Sequence, residues 1–405
     1  MTAGSASPRL KLAVVVSHPI QYYAPLYRRL AAASELDLTV LFAARIGLDV
    51  RRDVKMGVDM AWDTDLTGGY RHRFLAGAES IQTTSFFGID NPGVRTILAD
   101  LAPDLVLLHG YAAVTNLKAL AWARLHRRPV VMISDSTVDS STGWLRRMVK
   151  RGLAPGLFRQ FAAFLTMGDR GEDYLARYGV DPGRMFRVPT MIDAQFWQAR
   201  ADHDARRTAT RGGLGLAAGE VMLLVVSKLY AGKRVGDVIA ALAGIAATQV
   251  RLVVAGDGEQ RQALEAAAAT AGLNAVFLGF VNIGALSDLY AAADLLVHPA
   301  EVEQYGMVVL EAAVAGLPLI VSDRIGAIGP TSIARPGENA LVYPCADVAA
   351  LGAAILELAN DPERRARFAG ASLRISQDHR GPASVAGVID ACRSAARGLS
   401  SGAGR

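Results

Sequence analysis

The sequence predicts an α/β protein with two parallel-sheet domains. The chain has 405 residues, which is enough for two such domains of ordinary size. Short apolar segments such as 10–16 and 221–226 recur along it, and stretches with helical periodicity separate them. Strands that are apolar on both faces and joined by helices are typical of parallel sheets.

In the first half, the predicted strands are 10–16, 36–42, 105–108 and 129–133, and the predicted helices are 22–33, 112–127 and 143–151. Ligands of open parallel sheets bind beyond the carboxyl ends of the strands. Polar residues that follow these strands are therefore candidates to line a cleft. They are His18, Gln21 and Tyr22 after the first strand, His109 and Tyr111 after the third, and Ser134 and Asp135 after the fourth.

Four of these candidates, His18, His109, Ser134 and Asp135, have a structural alternative. His18 equally fits a cap of the helix 22–33, and a lone histidine such as His109 is more often structural than functional. Ser134 and Asp135 fit an N-cap and loop cluster. The choice stays open at the level of the sequence.

The segment 144–153 combines four cations with apolar residues at near-helical spacing. This pattern is typical of an interfacial helix that rests on anionic lipid, and equally of a solvated basic face on a core helix. The net charge of +5 and the pI near 9.3 permit contact with anionic surfaces. No nucleic-acid-binding module is recognisable, so we expect no nucleic-acid partner.

The second half is predicted to hold the strands 221–226, 252–254, 276–278, 295–297, 319–321 and 340–343. Five helices are predicted here. Two have the bounds 236–247 and 347–360, one begins at Gly306, one follows Pro362, and one near 384–396 crosses back to the first domain. The segment 199–220, with four Arg and four Gly, is predicted to be a loose connection between the domains.

Two lysines lie five residues apart in the loop after strand 221–226. Lys228 and Lys233 are suited to bind a diphosphate and to neutralise charge on a leaving group. The alternative is a pair of ordinary surface lysines. This loop does not complete a P-loop, and Gly256 and Gly258 after the next strand lack the third glycine of the dinucleotide fingerprint, which disfavours a dehydrogenase.

The stretch 298–323 carries the strongest signal, because it reads as strand, loop, helix, turn and strand. Gly306 opens the helix, whose first amides have no partner inside it and suit a phosphate. Glu311 shares a helix face with apolar residues three and four positions away, so its carboxylate needs a partner. That partner is either a ligand hydroxyl or a buried arginine.

These residues resemble the signature of retaining glycosyltransferase family 4, also called glycosyltransferase group 1. Glu303 and Glu311 are separated by seven residues, with Tyr305-Gly306 between them and Gly316-Leu-Pro318 after them. The resemblance implies the GT-B architecture, two Rossmann-like parallel-sheet domains that face a central cleft. It places the acceptor-side domain at 1–196, the nucleotide-sugar domain at 197–380, and a returning helix and tail at 381–405.

The resemblance also implies roles for single residues. His109 reaches the transferred sugar, Glu303 contacts the donor hexose, Glu311 contacts the ribose, and Lys228 and Lys233 hold the diphosphate. The other donor-binding residues that it implies are Gly256, Phe280, Tyr305, Gly306, Met307 and Val308, although core packing is an alternative for Phe280. Two positions differ from the family pattern: His18-Pro-Ile-Gln21 replaces a usual Gly-Gly pair, and Lys228 stands where Arg is usual.

The predicted function is metal-independent, retaining transfer of a hexose-type sugar from a nucleotide-diphosphate sugar, which serves as co-substrate without a further cofactor. The acceptor would be a glycan, a lipid-linked glycan or a small molecule, and the setting bacterial surface polysaccharide or glycoconjugate synthesis. The alternatives are a GT-B nucleotide-sugar epimerase and a non-catalytic nucleotide-sugar-binding protein. Two cysteines and the absence of a long apolar run favour a cytoplasmic location, with peripheral contact at the membrane as an option.

Overall fold

The computed structural model contains two parallel sheets, each covered by helices. It describes residues 9–48, 51–52, 59–60, 64–137, 144–192, 194–245 and 249–402. The central strands of both sheets are rich in Val, Leu and Ile and are buried on both faces, as is typical of parallel sheets. The sheets confirm the predicted GT-B class of two α/β domains.

The first domain has a seven-stranded sheet and a two-stranded one. Its strands are β1 (Leu10–Val16), β2 (Leu36–Phe42), β3 (Arg51–Arg52), β4 (Asp59–Met60), β5 (His72–Phe74), β6 (Leu105–His109), β7 (Val130–Ile133), β8 (Ala163–Thr166) and β9 (Met185–Arg187). Its helices are α1 (Ala24–Ala32), α2 (Val94–Leu101), α3 (Val114–Leu125), α4 (Trp144–Phe158) and α5 (Asp169–Arg177). The large sheet has the order β5-β2-β1-β6-β7-β8-β9, while β3 and β4 pair antiparallel.

Two helices connect the sheets, α6 (Ala194–Ala201) and α7 (His203–Gly213). The prediction of a loose connection over 199–220 is therefore wrong. Arg207 donates to the carbonyls of Ala292 and Ala293, each at 2.9 Å, and Arg211 donates to Asp294 Oδ2 at 2.9 Å. These bonds satisfy the open end of a second-domain helix, and they fix α7 on that domain.

The second domain has a six-stranded sheet. Its strands are β10 (Val221–Val226), β11 (Val250–Ala255), β12 (Ala275–Gly279), β13 (Leu295–His298), β14 (Leu319–Ser322) and β15 (Ala340–Tyr343). Its helices are α8 (Val235–Ala243), α9 (Arg261–Thr270), α10 (Ile283–Ala292), α11 (Met307–Ala315), α12 (Val348–Asn360) and α13 (Pro362–Ile375). A last helix, α14 (Pro382–Gly402), packs on β8, β9 and α1 of the first domain.

The strand order locates the place where a ligand can bind. The second sheet has the order β12-β11-β10-β13-β14-β15. From β10 the successive strands are added toward one edge, and from β13 they are added toward the other edge, so the order reverses between β10 and β13. In the first sheet the corresponding pair is β1 and β6. Open sheets of this kind bind ligands at the carboxyl ends of such central strands, where the connecting helices diverge to opposite faces. None of the described helices has the length and apolar character needed to span a bilayer.

Candidate functional site

A cavity of about 450 Å³ lies between the domains. It is at the carboxyl ends of the central strands, where the strand order predicts that a ligand binds. First-domain loops contribute Ile20, Tyr22, Tyr23, Asp135, Met167 and Thr190 to its walls. The ends of β10 and β13, the segments that follow them and the start of α11 contribute Val226, Ser227, Lys228, Tyr230, Lys233 and His298, and then Glu303, Gln304, Tyr305, Gly306, Met307 and Val308. Most of the donor-binding residues proposed from the sequence therefore surround one space.

Glu303 is bonded to two other side chains of the cavity. Lys233 forms an ion pair with its Oε2, and Nε2 of His298 lies 3.2 Å from the same oxygen. Burial alone would raise the pKa of Glu303, but His298 and Lys233 outweigh that effect and lower it well below its ordinary value. Glu303 is therefore an ionised carboxylate that can accept a hydrogen bond from a hydroxyl.

Glu311 lies on α11 and is almost fully buried. Tyr290 on α10 donates to its Oε2 at 2.8 Å, and Tyr22 of the first domain donates a second hydrogen bond. Burial raises the pKa of Glu311 to about 7, although both tyrosines oppose this shift. The carboxylate has no arginine partner among these contacts, so the structural alternative of a buried Arg–Glu pair is not what the described contacts show.

The N-terminus of α11 forms one wall of the cavity. Gly306 precedes the helix with φ of +97°, a left-handed conformation that glycine adopts without strain. A β-carbon here would come within 3.0 Å of Ile325. The first amides of α11 have no partner inside the helix, and Met307 and Val308 line the cavity. This geometry suits an anion.

The two lysines lie in the loop between β10 and α8. Lys228 and Lys233 both line the cavity, and a short 3₁₀ turn, Ala231–Lys233, directs the second lysine toward Glu303. Lys233 also lies 6.0 Å from the centre of the Tyr230 ring. They are therefore cavity residues, and not the solvated surface lysines that the sequence left as the alternative.

Gly256 and Phe280 do not line this cavity. Gly256 has a φ of +148°, and a β-carbon at this position would lie 1.7 Å from the carbonyl oxygen of Ser227. Its amide donates to Gly279 O at 2.7 Å. Gly256 therefore lets the loop after β11 pack against the loop that carries Lys228, which is a supporting role and not the predicted contact with the donor. Phe280 is partly buried next to this junction.

In the loop after β1, only Tyr22 of the three predicted residues lines the cavity. Its hydroxyl reaches Glu311, and Gln21 donates to Tyr22 from the side. His18 turns away to Ser17, whose Oγ lies 2.9 Å from its Nδ1, and burial lowers the pKa of His18 to about 4. Helix α1 begins at Ala24, later than predicted, which leaves Tyr22 free to extend across the cleft.

His109 and Tyr111 pack inside the first domain and do not line the cavity. Nε2 of His109 lies 2.8 Å from the hydroxyl of Tyr27, and its ring stands edge-on to Tyr23 at 4.4 Å. Burial lowers the pKa of His109 to about 3. Tyr111 contacts Tyr174, 3.4 Å between hydroxyls. The predicted sugar-contacting histidine is therefore separated from the cavity in this structure, because Tyr23, which precedes α1, and Tyr27 of α1 pack against it.

Asp135 lines the cavity, whereas Ser134 does not. Ser134 accepts a hydrogen bond from the amide of Ser136 at 3.1 Å, which is the loop role that the sequence left open. Burial raises the pKa of Asp135, and the nearby negative charge of Glu303 raises it further. Asp135 therefore places a second carboxylate on the first-domain side of the cavity.

Sequence reasoning missed His298 and Tyr290. Both belong to regular elements, His298 as the last residue of β13 and Tyr290 inside α10, so neither stood out as a loop residue. The available signal for His298 was its position at a strand's carboxyl end, the criterion that selected His109. Among the described residues, no group of three or more His, Cys, Asp or Glu side chains is arranged to hold a metal ion.

Comparisons with known families agree with this geometry. The family Glycosyl transferases group 1 matches residues 206–373, and the Glycosyl transferase 4-like domain matches residues 19–190. The chain is 31% identical over 279 residues to a glycogen synthase of Mycobacterium tuberculosis, covering 66% of this chain and 63% of that protein. It is 29% identical over 307 residues to a GDP-mannose-dependent phosphatidylinositol dimannoside mannosyltransferase of the same species, covering 73% and 76%. The chain thus spans just under two thirds of that glycogen synthase.

Solved structures with the same fold align over nearly the whole chain. Anabaena HepE in complex with UDP has a TM-score of 0.69 at 18% identity and covers 97% of this chain and 100% of its own. WaaG, a glycosyltransferase involved in lipopolysaccharide biosynthesis, has a TM-score of 0.62 at 19% identity and covers 94% and 98%. The two family matches, the relatives and the shared architecture lead to one assignment: the chain belongs to the group 1 glycosyltransferases of family 4 and has their GT-B fold.

Proposed function

We propose that the protein is a retaining glycosyltransferase that uses a nucleotide-diphosphate sugar as donor. The observation that carries the proposal is the convergence of Lys228, Lys233, the N-terminus of α11 and the carboxylate of Glu303 on one cavity between the domains, with the buried carboxylate of Glu311 hydrogen-bonded to Tyr22 of the cavity wall. A nucleotide sugar offers a matching set of groups. HepE, whose structure contains UDP, and the mannosyltransferase that depends on GDP-mannose support this class of donor.

The donor would be bound along the cavity wall of the second domain. Lys228, Lys233 and the first amides of α11 receive the diphosphate, and Glu311 receives ribose hydroxyls. When the bond between the sugar and the diphosphate breaks, negative charge grows on the leaving group, and the same cations and amides stabilise it. Glu303 holds the sugar. The proposal therefore needs no metal or further cofactor, and retention rests on the family resemblance.

The acceptor would enter from the first-domain side, where Tyr22, Tyr23 and Asp135 line the cavity. We expect a glycan, a lipid-linked glycan or a small molecule, in the synthesis of a bacterial surface polysaccharide or glycoconjugate. The similarity to WaaG, a glycosyltransferase involved in lipopolysaccharide biosynthesis, supports a role in the synthesis of a surface polysaccharide.

Titration calorimetry with UDP, GDP and their sugars tests the donor site. We expect one nucleotide to bind, and Glu311→Ala to weaken it at least tenfold because the ribose loses its carboxylate. Glu265→Ala, which changes an exposed carboxylate on α9, is the control and should leave the affinity unchanged. Absence of binding to wild-type protein at millimolar concentration would refute the proposal. If a nucleotide binds, a turnover assay with and without an acceptor comes next. Turnover that requires the acceptor identifies a transferase and excludes an epimerase.

We also propose peripheral contact between α4 and an anionic membrane from the cytoplasmic side. Met148 and Leu153 are apolar yet 61% and 70% exposed, and Arg151 beside them is exposed too. Apolar side chains next to cations suit the boundary between anionic headgroups and acyl chains. We do not assign Lys150 to the membrane contact, because its ammonium packs on the Tyr174 ring, 4.6 Å from the ring centre.

Flotation with vesicles of phosphatidylglycerol and phosphatidylcholine tests this contact. Met148→Glu with Leu153→Glu should abolish binding to the anionic vesicles, whereas Leu125→Glu on α3 should not, although Leu125 is 79% exposed. Equal loss in both variants, or no binding by the wild-type protein, would refute a membrane role for α4.

A further inference from the structure

His298 combines burial with a position on the cavity wall. It is the last residue of β13 and only 2% exposed, yet it lines the cavity between the domains. A buried polar ring is costly unless its nitrogens are hydrogen-bonded. Its Nε2 contacts Glu303 Oε2 at 3.2 Å, while Nδ1 is buried and has no partner in the described part of the chain.

The contact defines how the ring is protonated. A carboxylate only accepts hydrogen bonds, so Nε2 must carry the proton that it donates to Glu303. Burial lowers the pKa of His298, which favours the neutral ring with its single proton on Nε2. The Nε2–H of His298 therefore orients the Glu303 side chain without adding a second full charge beside Lys233.

The main chain of Glu303 is fixed independently. Its carbonyl accepts a bond from the amide of Gly326 at 2.9 Å, and Glu303 bridges to Ile325. Gly326 itself has no room for a side chain, since a β-carbon would lie 1.6 Å from the carbonyl oxygen of Gln304. What remains adjustable is the direction of the Glu303 carboxylate, and His298 and Lys233 set it through the same oxygen.

A donor diphosphate would compete with Glu303 for Lys233. The ammonium that pairs with Glu303 is also one of the two cavity lysines that the proposed function assigns to phosphate. Once Lys233 turns to the diphosphate, its bond to Glu303 weakens. The bond from His298 does not depend on the phosphate.

We propose that His298 is a positioning residue that keeps the Glu303 carboxylate directed toward the donor sugar after Lys233 has engaged the diphosphate. This inference rests on the proposed function. It assigns His298 to the sugar half of the donor and leaves the nucleotide half to Lys228, Lys233, Glu311 and α11. His298 thereby differs from a residue that only fills the core.

Two substitutions separate these roles. In His298→Gln the side-chain amide can place an N–H close to the position of Nε2, whereas in His298→Asn the shorter side chain cannot reach Glu303. The probes are UDP with UDP-glucose and GDP with GDP-mannose, chosen by the nucleotide that the wild-type protein binds. We expect His298→Asn to lower affinity for the nucleotide sugar, or its turnover, about tenfold, while affinity for the free nucleoside diphosphate stays within about twofold. His298→Gln should restore most of the loss.

A double-mutant cycle with Glu303→Gln tests whether His298 acts through Glu303. The pair His298→Asn and Glu303→Gln should lose no more than Glu303→Gln alone, because both changes remove one interaction. Additive losses would overturn the inference. So would equal behaviour of the Gln and Asn variants, or a loss of nucleoside diphosphate binding and thermal stability in both.

The nitrogen-15 spectrum of the His298 ring provides a readout that needs no turnover. The neutral tautomer with the proton on Nε2 should be present in the empty protein and persist when UDP or GDP is added. A ring protonated on Nδ1 would contradict the inference while leaving the proposed function intact. If wild-type protein binds neither nucleotide nor nucleotide sugar, the proposed function itself fails, and the inference fails with it.

Discussion

Glu311 links the protonation of one buried residue to the stability of the second domain. Its pKa is raised by burial from 4.5 to about 7, so the folded chain holds this proton over a pH range in which the unfolded chain has lost it. A raised carboxyl pKa stabilises the fold at low pH, and that stabilisation is lost as pH rises through the folded pKa. The group alone accounts for up to about 3 kcal/mol.

Glu311→Gln should remove this dependence. We expect the gap in melting temperature between wild type and the variant to shift in favour of the variant as pH rises from about 5 to about 8. Buried histidines such as His109 contribute equally to both proteins, so they cancel in the comparison. Glu303→Gln is the control, because the lowered pKa of Glu303 confines its effect to more acidic solution. A pH-independent gap for Glu311→Gln would contradict the assigned shift.

Tyr22 competes with the donor for the same carboxylate. Its hydroxyl donates to Glu311 across the cleft, at the group that we assign to the ribose. Tyr22→Phe should therefore tighten nucleotide binding about threefold to tenfold, because the ligand no longer has to displace a hydrogen bond. Tyr23→Phe is the matched control, since Tyr23 also lines the cavity but contacts His109 through its ring. Weaker binding by Tyr22→Phe would show instead that Tyr22 contacts the nucleotide.

At the scale of elements, the sequence is most informative where an apolar run stands out from its polar flanks. The segments 10–16, 36–42, 221–226 and 340–343 are predicted with the bounds that the structure has. The strands β5, β8 and β9 escaped prediction, because three or four residues carry too little periodicity and β5 and β9 are only partly buried at the sheet edges. Their existence depends on pairing partners far away in the chain.

The candidate site follows the same division. Lys228, Lys233 and Glu303 were predictable because motif spacing and topology place them in the loops after β10 and β13, and Glu311 because its spacing from Glu303 places it on the helix that follows. The position of His109 was not predictable, because Tyr23 and Tyr27 approach it from the start of α1 and the residue before it. Contacts between a strand end and a distant helix depend on packing, which no local pattern of residues records.

The close contact at Gly256 predicts how two loops depend on each other. Gly256→Ala would drive a methyl group into the carbonyl of Ser227, so the loop that carries Lys228 must shift. We expect nucleotide affinity to fall at least tenfold while the protein remains folded. Gly272→Ala is the control: it has a left-handed φ of +66° but no atom within 4 Å of the added carbon, so it should cost about 1 kcal/mol of stability without affecting binding. Equal effects of the two variants on affinity would refute the argument.

At the scale of the whole molecule, Asp169 connects the two domains. It opens α5 in the first domain and accepts hydrogen bonds from the Thr331 amide at 2.9 Å and the Ser332 hydroxyl at 2.8 Å, both in the second domain. Arg187 binds Asp169 at 2.8 Å and Glu172 at 2.7 Å. Nearby, His379 contacts the carbonyl of Thr190 at 2.7 Å. Polar contacts therefore join the two domains in addition to the two segments of chain that connect them.

Asp169→Ala should uncouple the domains. The variant removes the acceptor of the exposed Thr331 amide and of the buried Ser332 hydroxyl, at a cost of about 1–2 kcal/mol, whereas Arg187 keeps Glu172 as a partner. In differential scanning calorimetry we expect the transition of the wild-type protein to broaden or separate into two, with a larger radius of gyration in solution scattering. Asp37→Ala, which breaks the exposed pair with Arg71, should change neither quantity.

The same contact gives a pH signature that identifies Asp169 as the cause. Partial burial opposes ionisation, but the bonds from Thr331 and Arg187 outweigh it and lower the pKa of Asp169 from 3.8 to about 2. A depressed carboxyl pKa contributes stability that is fully present above 3.8 and is lost as pH falls toward 2. The difference between wild type and Asp169→Ala should thus be constant near neutral pH and shrink in acid. If the difference kept its size in acid, Asp169 would not act through its charge, and the domains would have to be coupled mainly by α14 and the chain crossings.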